Sequence, residues 1–127
     1  MFEKLELTRM AQALAAHAGS RMGIIAQNVA NADTPGFKAR DIADFASVFE
    51  SREDNLRITR PSHILPTERI SAARAFETGG SEAPNGNTVS LEKEMVKSAE
   101  ARQEHEMALA IYRATSDVIR ASLGRNR

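Results

Sequence analysis

Cysteine and tryptophan are absent from the 127 residues of this chain, and aromatic side chains account for only 5% of them. Without cysteine the chain has no disulfides, no thiolate nucleophile and no cysteine-ligated zinc. Apolar residues make up 42% of the sequence, but many are alanines, which bury little area each. A large self-sufficient core is therefore not expected, and burial against partners or other copies becomes an alternative.

Two further absences limit the location and partners of the protein. The charges balance, with 17 basic and 17 acidic residues, so no bulk field points to nucleic acid or an acidic membrane. No stretch approaches the ~18 apolar residues of a membrane-spanning helix. Glu3, Lys4, Glu6 and Arg9 stand where a signal peptide needs its apolar run, so we expect no conventional cleaved signal peptide.

Long helices are predicted over residues 5–31 and 90–123, because apolar residues recur there every three or four positions. In the first helix the recurring positions are Leu7, Ala11, Leu14, Ala18, Met22, Ile25 and Val29, widened by Met10, Ala15 and Ala26. In the second helix they are Leu91, Met95, Ser98, Arg102, His105, Leu109, Tyr112, Ser116, Ile119 and Leu123, with a second row at Met107, Ile111, Ala114 and Val118. Ser90 and Gly124 are typical start and stop residues for the second helix.

Two glycines interrupt the first predicted helix. Gly19 and Gly23 each cost about 1 kcal/mol relative to alanine in a helix interior. They either weaken the helix mildly or allow a second helix to approach closely, and the sequence leaves both interpretations open.

The segment NVANADTPGFKARD, residues 28–41, is predicted to be a structural joint. Pro35 disfavours the helical state of the residue before it, so the first helix should end there. Proline followed by Gly36 is the pattern of a type II turn, in which the glycine accepts a positive φ. The side chains of Asn28 and Asn31 can satisfy backbone groups freed at the helix end.

The middle of the chain is predicted to be mostly irregular. Asp41 to Phe49 has the pattern of a short helix, whereas residues 50–90 are interrupted by prolines and glycines. Within that segment, Arg57 to Thr59 has strand character.

No catalytic or cofactor site is indicated by the sequence. His17, His63 and His105 lie on different predicted elements without a partner at metal-ligand spacing, so we expect no metal. His17 and His105 are interpreted as polar positions in the helix seams. A nucleophile motif and a phosphate-binding loop are both missing. The Glu- and Lys-rich stretch 92–106 is interpreted as a solvated helix face.

Three stretches carry a resemblance to a known family. Asn28, Ala30, Asn31, Thr34, Pro35, Gly36 and Phe37 match the signature near the N-terminus of bacterial flagellar rod and hook proteins. The continuation from Lys38 to Asp41 and the block NGNTVSLEKEM at 85–95 resemble, more narrowly, proximal-rod proteins of the FlgB type. TRPSHI at 59–64 is similar to a third, weaker segment. Asp44-Phe45 comes after Ile42-Ala43, which indicates a one-residue insertion relative to the family pattern.

The resemblance implies an all-α, elongated subunit whose terminal helices pair as an α-hairpin or coiled coil around a loop-rich middle. The implied division is 1–31 as the N-terminal helix of the rod core, 32–89 as turn motif and irregular segment, and 90–127 as the C-terminal helix. The implied turn motif consists of Asn28, Asn31, Thr34, Pro35, Gly36, Phe37 and Lys38. Packing between subunits is expected at Leu7, Met10, Leu14, Ala18, Ile25, Val29, Leu91, Met95, Leu109, Ile111, Tyr112, Val118 and Ile119.

The resemblance also implies a function and partners. A structural subunit of the proximal rod would assemble around the export channel and transmit torque between the membrane ring and the distal rod. Its partners would be other proximal-rod proteins, the rod-base adaptor, the membrane-ring protein, the export gate and further copies of itself. A helical adaptor or chaperone of a secretion system remains the alternative, and a test of folding in isolation separates the two. No cofactor, nucleic acid or membrane span is expected.

Overall fold

The computed structural model describes residues 2–53 and 74–124 and contains two long helices joined at one end by a small ribbon and a turn. Helix α1 spans Phe2–Ala30, strand β1 spans Arg40–Ile42, and helix α2 spans Phe45–Glu53. Strand β2 spans Ala75–Glu77 and helix α3 spans Leu91–Gly124. At a rise of 1.5 Å per residue, α1 is ~43 Å long and α3 is ~51 Å long. The all-α hairpin expected from the sequence is therefore confirmed.

Helices α1 and α3 pack along a narrow seam of mostly small side chains. The buried residues of this seam recur at seven-residue intervals: Ala11, Ala18 and Ile25 on α1, and Ala101, Ala108 and Thr115 on α3. The end of α1 lies beside the start of α3, so the two helices are antiparallel. Alanine at these positions leaves little side-chain volume between the helix backbones. A large apolar core is correspondingly missing from the part of the chain that the structure describes.

The helix faces predicted from apolar spacing differ from this seam. On α1 the predicted row includes the seam residues Ala11, Ala18 and Ile25, but Leu7, Met22 and Val29 of the same row are exposed. On α3 the seam is rotated away from the predicted row, which leaves Met95 and Leu123 exposed. The prediction gave most weight to bulky apolar residues, whereas the hairpin closes on small ones.

Exposure also decides between the two interpretations of the glycines in α1. Gly19 and Gly23 are both exposed, and a Cβ added at either would meet nothing within 4 Å. Among the residues that the structure describes, neither glycine therefore lies at a close helix contact.

Between the helices, the chain forms a ribbon that the sequence did not predict. Strands β1 and β2 are antiparallel, with Arg40 opposite Glu77 and Ile42 opposite Ala75. The helix predicted over Asp41 to Phe49 is therefore wrong at its start. Helix α2 begins at Phe45, after Asp44, whose carboxylate accepts a hydrogen bond from the backbone N–H of Ser47. This is an N-cap arrangement.

Several sequence-based predictions lie outside the described residues. These are the strand expected at 57–59, the family segment 59–64, and His63. In the parts of the chain that are described, no helix is both long and apolar enough to cross a lipid bilayer.

Candidate functional site

The end of α1 is connected to β1 and α3 through one completely buried side chain. Asn28 has no exposed surface. Its Nδ2 donates to the backbone oxygen of Arg40 at 2.7 Å and to Oε2 of Glu94 at 3.1 Å. Its Oδ1 accepts a hydrogen bond from the backbone N–H of Arg40 at 3.0 Å. The amide thus pairs with both backbone groups of one residue and with a buried carboxylate on the opposite helix.

The turn after α1 has the geometry expected from its sequence. The backbone N–H of Phe37 donates to the carbonyl oxygen of Thr34 at 3.3 Å, which closes the turn around Pro35 and Gly36. Gly36 has a φ of 73°, in the left-handed region that favours glycine. A Cβ at Gly36 would meet nothing within 4 Å, so the backbone angle rather than space requires glycine.

The second family block binds directly to this turn. The N–H of Gly36 donates to the carbonyl of Asn85 at 2.9 Å, and the N–H of Thr88 donates to the carbonyl of Phe37 at 3.1 Å. Gly86 has a φ of 81°, and a Cβ there would lie 3.4 Å from the Cα of Gly36. The two blocks therefore meet backbone to backbone, with little room for a side chain between them.

A single asparagine from the second block caps the C-terminal end of α1. The side chain of Asn87 is almost fully buried. Its Nδ2 lies 2.9, 2.9 and 2.8 Å from the carbonyl oxygens of Asn31, Ala32 and Thr34. Its Oδ1 accepts from the N–H of Val89 at 2.7 Å. These three carbonyls belong to the turns that directly follow α1, and those of Asn31 and Thr34 also accept backbone hydrogen bonds within the turns. Asn87 therefore binds the chain exit of α1 from more than fifty positions further along the sequence.

Side chains of the first block complete this contact. Lys38 forms an ion pair with Glu82, and its Nζ donates to the carbonyl of Gly86 at 3.2 Å. The N–H of Ala39 donates to Oγ1 of Thr88 at 2.9 Å. Ala39 is itself buried, so this position has no spare volume for a larger side chain. We use the name polar joint for Asn28, Glu94, Asn87, Thr88 and the backbone of residues 34–40.

Beside the polar joint lies a charge cluster that connects β1 to both long helices. The Asp41 carboxylate accepts a hydrogen bond from Nε of Arg21 at 3.2 Å and lies 3.3 Å from Nζ of Lys97. Lys97 also lies 3.2 Å from Oε1 of Glu94. The Arg21 guanidinium reaches Glu104 at 3.7 Å. Cations from both helices therefore converge on one strand residue.

The environment of Asp41 favours its charged form. Burial alone raises the pKa of a carboxyl group. Hydrogen bonds from Arg21 and from the N–H of Ile42, with the charges of Arg21 and Lys97, outweigh burial and hold the pKa of Asp41 below its usual range. Asp41 is therefore charged at neutral pH and holds β1 against the hairpin.

A buried histidine anchors the start of α2. Nε2 of His17 lies 2.7 Å from the carbonyl oxygen of Ala43, so Nε2 carries the proton. The ring packs edge-on against Phe45, with centroids 5.7 Å apart. His17 is thus a polar position in the helix packing, as the sequence predicted.

The residues predicted for the turn motif converge in one place. Asn28, Thr34, Gly36, Phe37 and Lys38 all contribute contacts to or beside the polar joint. Asn31 donates from Nδ2 to the carbonyl of Gln27 at 2.8 Å and accepts from the hydroxyl of Thr34. Pro35 lies exposed in the turn.

The residues predicted for packing between subunits fall into three groups. Ala18 and Ile25 are buried in the seam of the hairpin, and Leu14, Leu109, Ile111 and Ile119 are half-buried. The exposed group consists of Leu7, Met10, Val29, Leu91, Met95, Tyr112 and Val118. These exposed side chains extend along both helices, outside the intramolecular seam.

Sequence reasoning did not single out several residues of the site, namely Arg21, Asp41, Asn87, Thr88, Glu94 and Lys97. Glu94 was assigned to a solvated face, but it is only 2% exposed and hydrogen-bonded to Asn28. The seven-residue spacing that places Glu94 in line with Ala101, Ala108 and Thr115 is a signal that would have located it on the buried face. Asn87 lies within the family block at 85–95, but the sequence did not indicate its partners, which are more than fifty positions away.

Comparisons with known proteins show which family the sequence resembles. Residues 10–38 match the family model described as flagella basal body rod protein. The flagellar basal body rod protein FlgB of Salmonella typhimurium is 34% identical over 103 residues, which cover 72% of this chain and 73% of the relative. FlgB of Proteus mirabilis strain HI4320 is 36% identical over 106 residues, covering 74% and 77%. FlgB of Escherichia coli K12 is 33% identical over 102 residues, covering 71% and 72%.

Proposed function

Because the chain belongs to the FlgB family of flagellar basal-body rod proteins, we propose that it is a proximal-rod subunit that assembles around the export channel by helix packing. The family is structural, so the chain is a rod component and not an enzyme. In the proposed assembly, residues 1–31 and 90–127 form the rod core, and residues 32–89 contain the turn motif and the intervening segment. The rod would transmit torque between the membrane ring and the distal rod.

The observation that carries this proposal is the position of the large apolar side chains. The seam between α1 and α3 consists mainly of small residues, whereas Met95 is 74% exposed and Val118 is 48% exposed. Contiguous apolar surface outside a folded unit is typical of an interaction site. Burial by neighbouring subunits would remove this area from water at roughly 25 cal/mol per Å². The hairpin would then gain in the rod the apolar burial that its own seam lacks.

The proposed partners follow from the family resemblance. They are other proximal-rod proteins, the rod-base adaptor, the membrane-ring protein, the export gate and further copies of this chain. The protein would reach the periplasm-spanning part of the rod through the flagellar export apparatus. A secretion adaptor or chaperone is disfavoured, because such a module would be expected to cover its apolar faces when folded alone.

Charge placed on the exposed apolar residues tests the proposal. Met95→Asp and Val118→Asp should leave the free subunit folded, because both side chains are already in water. An unpaired carboxylate buried against a neighbour costs several kcal/mol or forces the contact apart. We expect both variants to be made and exported but missing from isolated basal bodies, with loss of swimming. Leu14 and Leu109 are less suitable sites, since both are half-buried and charge there would also disturb the hairpin.

Gln103→Asp is the matched control, because it introduces the same charge at an exposed polar position of α3. The measurement is the amount of each variant in periplasmic fractions and in purified basal bodies, together with spreading on soft agar. Normal incorporation of Met95→Asp and Val118→Asp would refute helix packing at these faces. Equal failure of Gln103→Asp would show that the test is not specific for apolar contacts.

A further inference from the structure

Apart from Ile25 and Thr115 at its ends, the seam of the hairpin consists of alanines that do not distinguish one axial register from the next. Its buried positions recur every seven residues on both helices, and alanine occupies Ala11 and Ala18 on α1 and Ala101 and Ala108 on α3. Sliding α3 by seven residues therefore places a small side chain opposite a small side chain again. Such a slip would shift one helix by ~10 Å along the other.

The polar joint, in contrast, has one satisfied arrangement. Asn28 and Glu94 are both almost completely buried and are hydrogen-bonded to each other at 3.1 Å. A slip of seven residues would separate them, and a buried polar group without a partner is costly. Asn87 would move away from the carbonyls of the turns that follow α1 at the same time. A single buried asparagine can set the register of a coiled coil in this way.

We propose that the polar joint, rather than the seam, sets the axial register of the α1–α3 hairpin. A consequence, which rests on the proposed function, is that the joint also aligns the outer apolar residues of the two helices. The positions of Met10 on α1 and Val118 on α3 along the hairpin axis are fixed relative to each other only in one register. A neighbouring subunit that contacts both helices would meet a displaced surface after a slip.

Distance measurements between two labels on the isolated full-length chain test the register directly. The chain has no cysteine, so Gln12→Cys and Lys93→Cys provide two exposed sites for nitroxide labels without background. These sites are offset by ~25 Å along the hairpin axis, so an axial slip changes the distance between them. The distances would be measured by pulsed electron–electron double resonance in the presence of a stabilising osmolyte. The osmolyte concentration would be the one at which the helicity of the wild-type chain reaches its plateau. The reference chain should give one narrow distance. Several distances in the reference chain would overturn the proposal, because the joint would then not specify a register.

Two variants test separately whether the polar joint or the seam sets the register. The joint variant combines Asn28→Leu, Glu94→Leu and Asn87→Ala, which removes the buried polar pairing. We expect a second population whose label distance differs by several ångström, as an axial slip of ~10 Å between offset sites requires, or a broad distribution that includes it. The seam variant combines Ile25→Ala and Thr115→Ala, which makes the seam uniform and leaves the joint intact. We expect it to retain the reference distance, although it unfolds more easily.

The opposite pattern would overturn the proposal: a single reference distance in the joint variant, or a displaced distance in the seam variant. If the joint variant loses its helicity, the seam variant alone decides, with a retained distance in support and a displaced one against. Glu94→Gln adds a rescue, since its amide oxygen still accepts from Asn28 and should keep the reference distance. These measurements need no assembled rod, so a failure here is distinguishable from a failure of the proposed function.

Discussion

Replacement of Asn87 by alanine is expected to destabilise the hairpin more than the loss of one surface side chain would. Its Nδ2 carries two hydrogens that are shared among three carbonyl oxygens, and its Oδ1 accepts from the N–H of Val89. About three hydrogen bonds are therefore lost, at roughly 1 kcal/mol each. Water can reach the exposed Thr34 carbonyl and offset part of this loss. We expect a decrease of about 2–3 kcal/mol in the free energy of unfolding.

The measurement is urea unfolding of the purified chain followed by far-ultraviolet circular dichroism. With a denaturant slope of about 1–2 kcal/mol/M, the midpoint should fall by about 1–3 M. Asn85→Ala is the matched control in the same turn. Its Oδ1 accepts one bond, from the N–H of Asn87 at 3.1 Å, and the residue is exposed. We expect Asn85→Ala to cost at most about 1 kcal/mol.

Asn87→Asp distinguishes a capping role from a packing role. Aspartate has almost the same shape as asparagine, so a residue needed only for packing would tolerate it. In the observed geometry, however, a carboxylate oxygen would replace the Nδ2 donor and face the three carbonyl oxygens of Asn31, Ala32 and Thr34. We expect Asn87→Asp to be at least as destabilising as Asn87→Ala at pH 7. A nearly wild-type midpoint for Asn87→Asp, or equal midpoints for Asn87→Ala and Asn85→Ala, would refute the cap.

Three further predictions concern the backbone, the pH dependence and the free subunit. Gly36→Ala should lower the free energy of unfolding by about 1–2 kcal/mol, because its φ is positive, whereas Gly79→Ala should be neutral or slightly stabilising in the same urea assay. Asp41→Asn should lower the free energy of unfolding at pH 7. This loss relative to wild type should shrink below about pH 4, because a carboxyl whose pKa is depressed in the folded state stabilises the fold only while it is ionised. A loss that grows on acidification would contradict the prediction. Amide hydrogen exchange of the free subunit should be fast in residues 3–10 and 116–124, because these residues are mostly exposed. Strong protection of these residues at low protein concentration would favour the alternative that the protein is a secretion adaptor or chaperone.

Local chemistry explains why the helix limits were predictable. The structure ends α1 at Ala30 and begins α3 at Leu91, each within one residue of the limits 31 and 90 predicted from the sequence, whereas α1 begins at Phe2, three residues before its predicted start. The backbone N–H of Glu94 donates to the carbonyl of Ser90, which is the first bond of α3. The positive φ of Gly36 was also predictable, since proline and glycine restrict their own backbone regardless of the rest of the fold.

Contacts between distant residues were not predictable in the same way. Lys97 was expected on a solvated face, but it pairs with Asp41 and Glu94, so a charge reversal there would break the cluster. Nothing in the sequence indicated that Ala39 is buried beside β1. Periodicity reports where apolar side chains recur along one helix. It does not report which face meets a second helix, or which strand lies across it.

Substitutions in the two family blocks should cause a different defect from substitutions on the exposed helix faces. Both blocks meet in the polar joint, where Asn28, Gly36 and Asn87 contact other parts of the same chain. Substitutions there should therefore act on the folding and register of the subunit before any partner is present. The exposed side chains of Met95 and Val118 lie elsewhere and contribute little to the isolated hairpin. Substitutions at these two positions should leave the urea midpoint of the free chain unchanged while they reduce incorporation into the rod. A joint variant with a normal midpoint and failed assembly would instead place a partner contact at the joint itself.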